Sequence, residues 1–227
     1  MHDFDFAGHL LTLLPDRALF WPTRRALLVA DLHLEKASWY AWHGQMLPPF
    51  DSQATLTRLA ALADATDAAE IWALGDSFHD AIGPDRLSAD ATDLLARVAK
   101  GRRLVWIAGN HDAAADLPGE RCEEALVDGL VLRHEAQDDE QRPELSGHFH
   151  PKLRVATKAR SLSRPCAVMS AGRIILPAFG ALTGGLDVHD PAIRRLFPDG
   201  AEAMVATQAQ LLRFPLYSEQ AGIGRRR

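Results

Sequence analysis

The stretch Ala26-Leu27-Leu28-Val29-Ala30-Asp31-Leu32-His33 decides the reading of this chain: five apolar residues run unbroken and stop at an aspartate and a histidine two residues apart. A run so short and uninterrupted reads as a buried strand. The same grammar returns downstream. Ile71-Trp72-Ala73-Leu74 stops at Gly75-Asp76, Leu104-Val105-Trp106-Ile107-Ala108 at Gly109-Asn110, and Leu130-Val131-Leu132 near His134. Between these runs lie helical patterns. Leu56, Leu59, Leu62 and Ala63 share one face with Thr55 as a candidate cap, and Leu87, Ala91, Leu94, Leu95 and Val98 repeat the pattern after Ser88. Strand and helix in alternation predict βαβ units and an α/β fold whose sheet is covered by helices on both sides.

From Leu145 onward the rhythm becomes richer in strand. Leu153, Val155 and Thr157 alternate with Lys152, Arg154 and Lys158 as a half-buried strand would, and residues 167–169 and 173–176 read as a hairpin around Ser170-Ala171-Gly172. The acidic segment from Ala136 to Glu144 is short enough for a surface loop. With no repeat and no low-complexity linker, residues 1–227 read as a single domain.

Composition narrows the function. A chain of 227 residues buries a core without staples. A formal charge of −5 excludes a strongly cationic, histone-like binder, though not a local basic patch. Cys122 and Cys166 stand alone, which excludes a disulfide scaffold and a cysteine zinc finger. The start, Met1-His2-Asp3-Phe4-Asp5-Phe6, is acidic where a signal peptide is basic, and no apolar stretch is long enough for a membrane span. The expectation is a soluble, reduced, cytoplasmic protein with no membrane partner.

The ten histidines are less ordinary, because several fall in polar strings that follow the apolar runs. The strings are Asp31-Leu32-His33, Gly75-Asp76-Ser77-Phe78-His79, Gly109-Asn110-His111-Asp112, His134, and Gly147-His148-Phe149-His150. Ligands of α/β sheets bind beyond the carboxyl ends of the strands, so these strings are expected at one rim although they span about 120 residues. On an extended segment Asp31 and His33 would share a face, as would His148 and His150. Asp, Asn and His without thiolate suit Mn²⁺, Fe or Zn²⁺. A carboxylate between two such ions, with Asp76 the natural candidate, would complete a clamp for in-line displacement at phosphorus by a bridging hydroxide.

The order Asp-x-His, Gly-Asp, Gly-Asn-His-Asp, His, Gly-His-x-His resembles the calcineurin-like metallophosphoesterase superfamily. That resemblance implies a four-layer α/β/β/α sandwich. More narrowly, residues 31–36, 147–151 and 177–186 look like the bacterial ligase-associated DNA-repair metallophosphoesterases. Those enzymes are manganese-dependent phosphodiesterases and single-strand DNA endonucleases encoded beside a DNA ligase, a helicase and an exonuclease. Carried over by position, Asp31, His33, Asp76 and His150 would hold one metal ion, and Asp76, Asn110, His134 and His148 the second. His111 would face the scissile phosphate, with Asp112 fixing its orientation. The cofactors so implied are two divalent ions, Mn²⁺ first and Fe or Zn²⁺ next. Repair partners and a homodimer are also implied. Many superfamily members carry aspartate three residues after the bridging one, where this chain has His79 followed by Asp80. His79 is accordingly a candidate for substrate contact or for buried support.

Between Leu145 and Leu186 there is no acidic residue, while Lys152, Arg154, Lys158, Arg160, Arg164 and Arg173 supply positive charge. On one extended strand Lys152, Arg154, Lys158 and Arg160 would line a single face beside the metal strings, as a polyanionic phosphodiester requires; the resemblance implies that this substrate is single-stranded DNA. The alternative for that strand is a solvated face. Trp39, Tyr40 and Trp42 beyond the first metal string are candidates to stack on bases or to pack a loop. Two rival functions remain at this level. One keeps the metals and takes small phosphomonoesters, or nucleotide or lipid-linked diesters. The other is a scaffold without catalysis, against which every ligand position is filled.

Overall fold

Leu27 and Val29 point to one side of their strand, Leu28 and Ala30 to the other, and all four are buried. The computed structural model, which describes residues 2–111, 117–156 and 161–217, shows what covers each side. The first sheet runs in chain order: β1 (His2–Phe6), β2 (His9–Leu13), β3 (Leu19–Trp21), β4 (Ala26–Val29), β5 (Glu70–Leu74), β6 (Arg103–Ile107) and β7 (Glu120–Cys122). Its first half is antiparallel, and β4 to β7 are parallel. Two parallel crossovers carry the helices α2 (Asp51–Ala65) and α3 (Ala89–Ala99), with α1 (Lys36–Trp42) ahead of them.

The second sheet follows in sequence as β8 (Glu124–Val127), β9 (Leu130–Arg133) and β10 (Glu144–Ser146). After a two-stranded ribbon of β11 (Lys152–Ala156) and β12 (Ser161–Pro165), it resumes with β13 (Ala167–Met169) and β14 (Arg173–Ile175) and ends with β15 (Ala201–Ala206) and β16 (Leu211–Leu216). β10 lies parallel to both β9 and β14; the other pairings are antiparallel.

Period-two alternation sorts the side chains between layers. Leu28, Ala30, Trp72, Leu74, Val105 and Ile107 meet Leu132, Leu145, Ile174 and Met204 of the second sheet. Their neighbours Leu27, Val29, Ile71, Ala73, Leu104 and Trp106 meet Leu56, Leu59, Leu95 and Val98 of α2 and α3. Each fully buried Leu or Ile contributes about 1.5–3 kcal/mol, so both interfaces are strongly specified. This corrects the expectation of helices on both sides: one face of the first sheet carries helices and the other carries the second sheet. Beyond the second sheet, Val168, Ile175 and Ala203 pack against Leu153, Phe149, Ile193 and Phe197, where the four-residue α4 (Pro191–Arg194) and the ribbon form the outer layer. The four layers are therefore present, with the last helical layer reduced to one turn.

Two further expectations are corrected locally, those for Thr55 and Arg173. Ser88 does cap α3, accepting a hydrogen bond from Ala91 N, but Thr55 caps nothing: α2 begins at Asp51, and the Thr55 hydroxyl accepts from Ala181 N at 3.1 Å. β11 carries its described residues to Ala156, which pairs with Ser161 of β12. Lys152 and Arg154 lie on β11; Lys158 and Arg160 fall outside the described residues. Arg173 is no surface charge. It is buried and ion-paired to the fully buried Glu144, and it donates to the Leu196 carbonyl at 2.6 Å. Among the described residues, no helix is long and apolar enough to cross a membrane.

Candidate metal centre

The carboxyl ends of the parallel strands of both sheets meet at one rim. Beyond β4, the amides of Asp31, His33 and Leu34 donate to the carbonyls of Gly75, Asp76 and Ser77, which zips the first polar string to the second. Beyond β10, Gly147 N donates to His134 O. The segment after β14 joins the sheets: Phe179 N donates to Ala30 O, Gly180 N to Asp31 O, and Ala30 bridges Ala178.

Two clusters of donors result. Asp31, His33 and His150 offer ligand atoms within 4.8 Å of one another, as do Asp76, His134 and His148. Each cluster draws from both sheets. Asp76 also touches the first cluster, its carboxylate lying 3.8 Å from His33 Nε2 and 3.5 Å from His134 Nε2. Asn110 joins the second, with Nδ2 at 3.3 Å from His148 Nδ1. Asp31 is fully buried and Asp76 is 4% exposed.

The donor set fits cations. His33 Nε2 faces His150 Nε2 at 3.2 Å, and His134 Nε2 faces His148 Nδ1 at 3.1 Å. Paired imidazole nitrogens beside buried carboxylates need a shared proton or a shared cation between their lone pairs. Burial first, then His150, Lys36, His79 and His111, pushes the His33 pKa down to about 2, and burial lowers that of His148. Both rings are thereby kept neutral, the form that binds metal.

The backbone reaches this arrangement by a route the strand argument did not foresee. Asp31 (φ +53°), His33 (+44°), Asp76 (+46°), His148 (+70°) and His150 (+48°) all occupy the left-handed region. The pairs Asp31/His33 and His148/His150 therefore converge through tight turns, not through an extended strand. Such residues cost of order 1–3 kcal/mol each and concentrate at functional sites, and Asp and His tolerate them better than most. Glycines let the turns close. A methyl on Gly147 would lie 2.6 Å from both Ala30 Cβ and Asp31 Oδ2, and one on Gly109 3.0 Å from Asp76 Cα.

His111 N donates to Asp76 Oδ1 at 3.2 Å, its Nε2 stands 3.9 Å from Asp76 Oδ2, and its ring is half exposed at the mouth. Asp112 lies outside the described residues. His79 forms a triangle with His33 and His111, with ring centroids 5.8 and 6.1 Å away from its own and those two 6.0 Å apart. Its pKa is pushed down to about 4 by burial, Lys36 and His111. Asp80 is not free to substitute for the missing aspartate, because Arg86 holds it in an ion pair that lowers its carboxyl pKa. Arg154 is largely exposed and lies 3.8 Å from Asp187, while Lys152 is half-buried.

Two carboxylates were not read as parts of the site. Glu135 lies 3.6 Å from His148 Nε2, which turns Nδ1 of that ring inward; its position directly after His134 was the available signal. Glu35, which could pass for half of a solvated pair with Lys36, is buried. It accepts the hydroxyls of Ser38 and Ser52 at 2.7 Å each and so ties the start of α1 to α2.

A two-sheet sandwich with Asp, Asn and His donors at the ends of its parallel strands defines a class, and residues 24–167 match the model for calcineurin-like phosphoesterases; the chain belongs to that family and is a metal-dependent phosphoester hydrolase. Among solved structures it is similar to the nuclease MPE of Pseudomonas putida. The two are 32% identical, the match covers 95% of this chain and 99% of that one, and the TM-score is 0.73. A protein of unknown function from Aquifex aeolicus is 16% identical over 55% of this chain and 78% of its own, at a TM-score of 0.36. No curated protein matches the sequence.

Proposed function

We propose that the protein is a two-metal phosphodiesterase that cuts single-stranded DNA internally, in the service of DNA repair. The observation that carries this reading is the pair of donor clusters sharing the buried Asp76. Asp31, His33, Asp76 and His150 would hold one ion; Asp76, Asn110, His134 and His148 would hold the other. Mn²⁺ is the cation proposed, with Fe and Zn²⁺ suited to the same donors. When bound, two such ions neutralise charge at phosphorus and make a water nucleophilic near neutral pH.

The chain's own residues do the rest. His111, half exposed above Asp76, donates a hydrogen bond to the phosphate or a proton to the leaving oxygen. Asp112 orients it. His79 borders the same mouth and contacts the substrate. Lys152 and Arg154, on the strand that follows His150, attract the flanking phosphates. The nuclease of Pseudomonas putida, with its full-length similarity, supports a polynucleotide substrate.

Closed circular single-stranded DNA with Mn²⁺ tests the proposal. Linear product is expected, since a circle has no end to degrade. Intact circles alongside hydrolysis of a small aryl diester would overturn the DNA reading and leave the phosphoesterase.

A further inference from the structure

A cleft of about 410 Å³ opens between α1 and the loop 181–184, walled by Tyr40, Leu47, Leu182 and Thr183 with Lys36 at its side. Both walls grow out of the metal centre. α1 begins three residues after His33, and its start is held by Glu35 through Ser38 and Ser52. The opposite loop is tied on each side. Gly180 N donates to Asp31 O, Ala181 N donates to Thr55, and Gly185 packs so closely on His150 that an added methyl would lie 3.1 Å from His150 Cβ. The cleft is thus fixed in position relative to ligands of the first donor cluster.

Its chemistry is selective. Tyr40 lies near-parallel to His79, at 5.8 Å and 26°, and His79 near-parallel to His111, at 6.1 Å and 30°. Trp39 braces both Tyr40 and His79 edge-on at 5.0 Å. An aromatic series therefore leads from the mouth of the metal centre to the cleft wall. Among the described residues lining the cleft, Lys36 is the one charged group, and burial lowers its pKa. Thr183 spends its hydroxyl on the Gly180 carbonyl at 3.1 Å. What remains is apolar wall, one phenol ring and one cation, so the Tyr40 hydroxyl is the main side-chain group left to meet a hydrogen-bonding edge. A flat heteroaromatic ring joined to an anion fits such walls.

We infer that this cleft is a nucleobase subsite, which takes the base next to the phosphate held at the metal centre and stacks it against Tyr40 without regard to its identity. The inference rests on the phosphodiesterase reading above and names the part of the substrate that reading leaves open. It accounts for an aromatic and apolar wall beside a centre that otherwise offers only polar groups to a phosphodiester.

The test compares a labelled 20-nucleotide single strand with an abasic strand of equal length, by fluorescence anisotropy with Ca²⁺ in place of a transition metal. The circle-cutting assay runs in parallel. The intact strand should bind about tenfold more tightly than the abasic one, the size of one stacked base, with little difference among thymine, adenine and cytosine strands. Tyr40→Ala should bring the ratio close to one, and Tyr40→Phe should restore it. Leu182→Glu, on the other wall, should lower the ratio independently should Tyr40→Ala fail to fold. If circles are cut but the wild-type ratio is near one, or the ratio survives Tyr40→Ala and Leu182→Glu, the subsite is overturned and the nuclease stands. If no polynucleotide is cut while a small diester is hydrolysed, the nuclease reading falls and the subsite falls with it.

Discussion

Replacing Gly75 with alanine puts a methyl group where His134 already stands. Gly75 closes the turn between β5 and Asp76 at φ +78°, and a Cβ there would lie 2.6 Å from His134 Cβ and closer still to its imidazole. The left-handed backbone costs an alanine about 1 kcal/mol, and forcing a methyl into packed surroundings adds about 1–3 kcal/mol. The total, roughly 2–4 kcal/mol, is a large part of the stability of an ordinary domain. Turning the imidazole away frees the ring but leaves Cβ against Cβ, so the His134 backbone must shift as well; either movement breaks the 3.1 Å contact of Nδ1 with the Leu74 carbonyl and leaves Asp76 and His148 one donor short. Metal content after desalting, measured by mass spectrometry, should fall from two ions per chain towards one. Thermal unfolding followed by circular dichroism should shift down by about 5–15 °C. A variant that keeps both ions and the wild-type transition would refute the argument that this glycine is what lets His134 stand at the rim.

Other perturbations separate the roles of neighbouring groups. His111→Ala should keep both ions and lose about 10²- to 10⁴-fold in turnover; undiminished turnover would remove it from the reaction. Asp76→Ala should deplete both ions together, since its carboxylate faces both clusters, and loss of one ion alone would show that it does not bridge. Glu144→Ala leaves Arg173 buried without its carboxylate, at about 3–5 kcal/mol, while Arg133 keeps Glu124 and Glu140, and urea denaturation showing under 1 kcal/mol would refute that account. Because Arg86 lowers the Asp80 pKa, this ion pair stabilises the fold above the unfolded carboxylate value of about 3.9 and is lost as pH falls through the lower folded one. Asp80→Asn should therefore flatten the acid limb of the stability profile, and an unchanged slope would count against it.

How much of this was legible follows from the kind of signal each residue gives. The runs at 26–30, 71–74 and 104–108 were readable as strands because both of their faces are apolar. That same property hid the layering, since a helix and a second sheet ask for identical side chains. In β1, Phe4 and Phe6 alternate with Asp3 and Asp5 and are buried while the aspartates face out, a half-buried pattern that reads in sequence as an acidic start. Charged residues such as Glu35, Glu144 and Arg173 gave no sign of burial, because the contacts that bury them, Ser52 with Glu35 and Arg173 with Glu144, join residues 17 and 29 positions apart along the chain. The metal strings were legible by residue type and order. Their parity argument named residues that do converge, but the turns bringing them together are left-handed and invisible to a period of two.

Each donor cluster takes side chains from both halves of the sandwich, and this has a mechanical corollary. An ion in the first would fasten Asp31 and His33 to His150, and one in the second Asp76 to His134 and His148, closing long stretches of chain into loops. Loading the rim would then lock the two sheets against sliding over one another. Chelation would release that lock even where no substrate is present, so the cations would serve as fasteners of the architecture as well as agents of its chemistry.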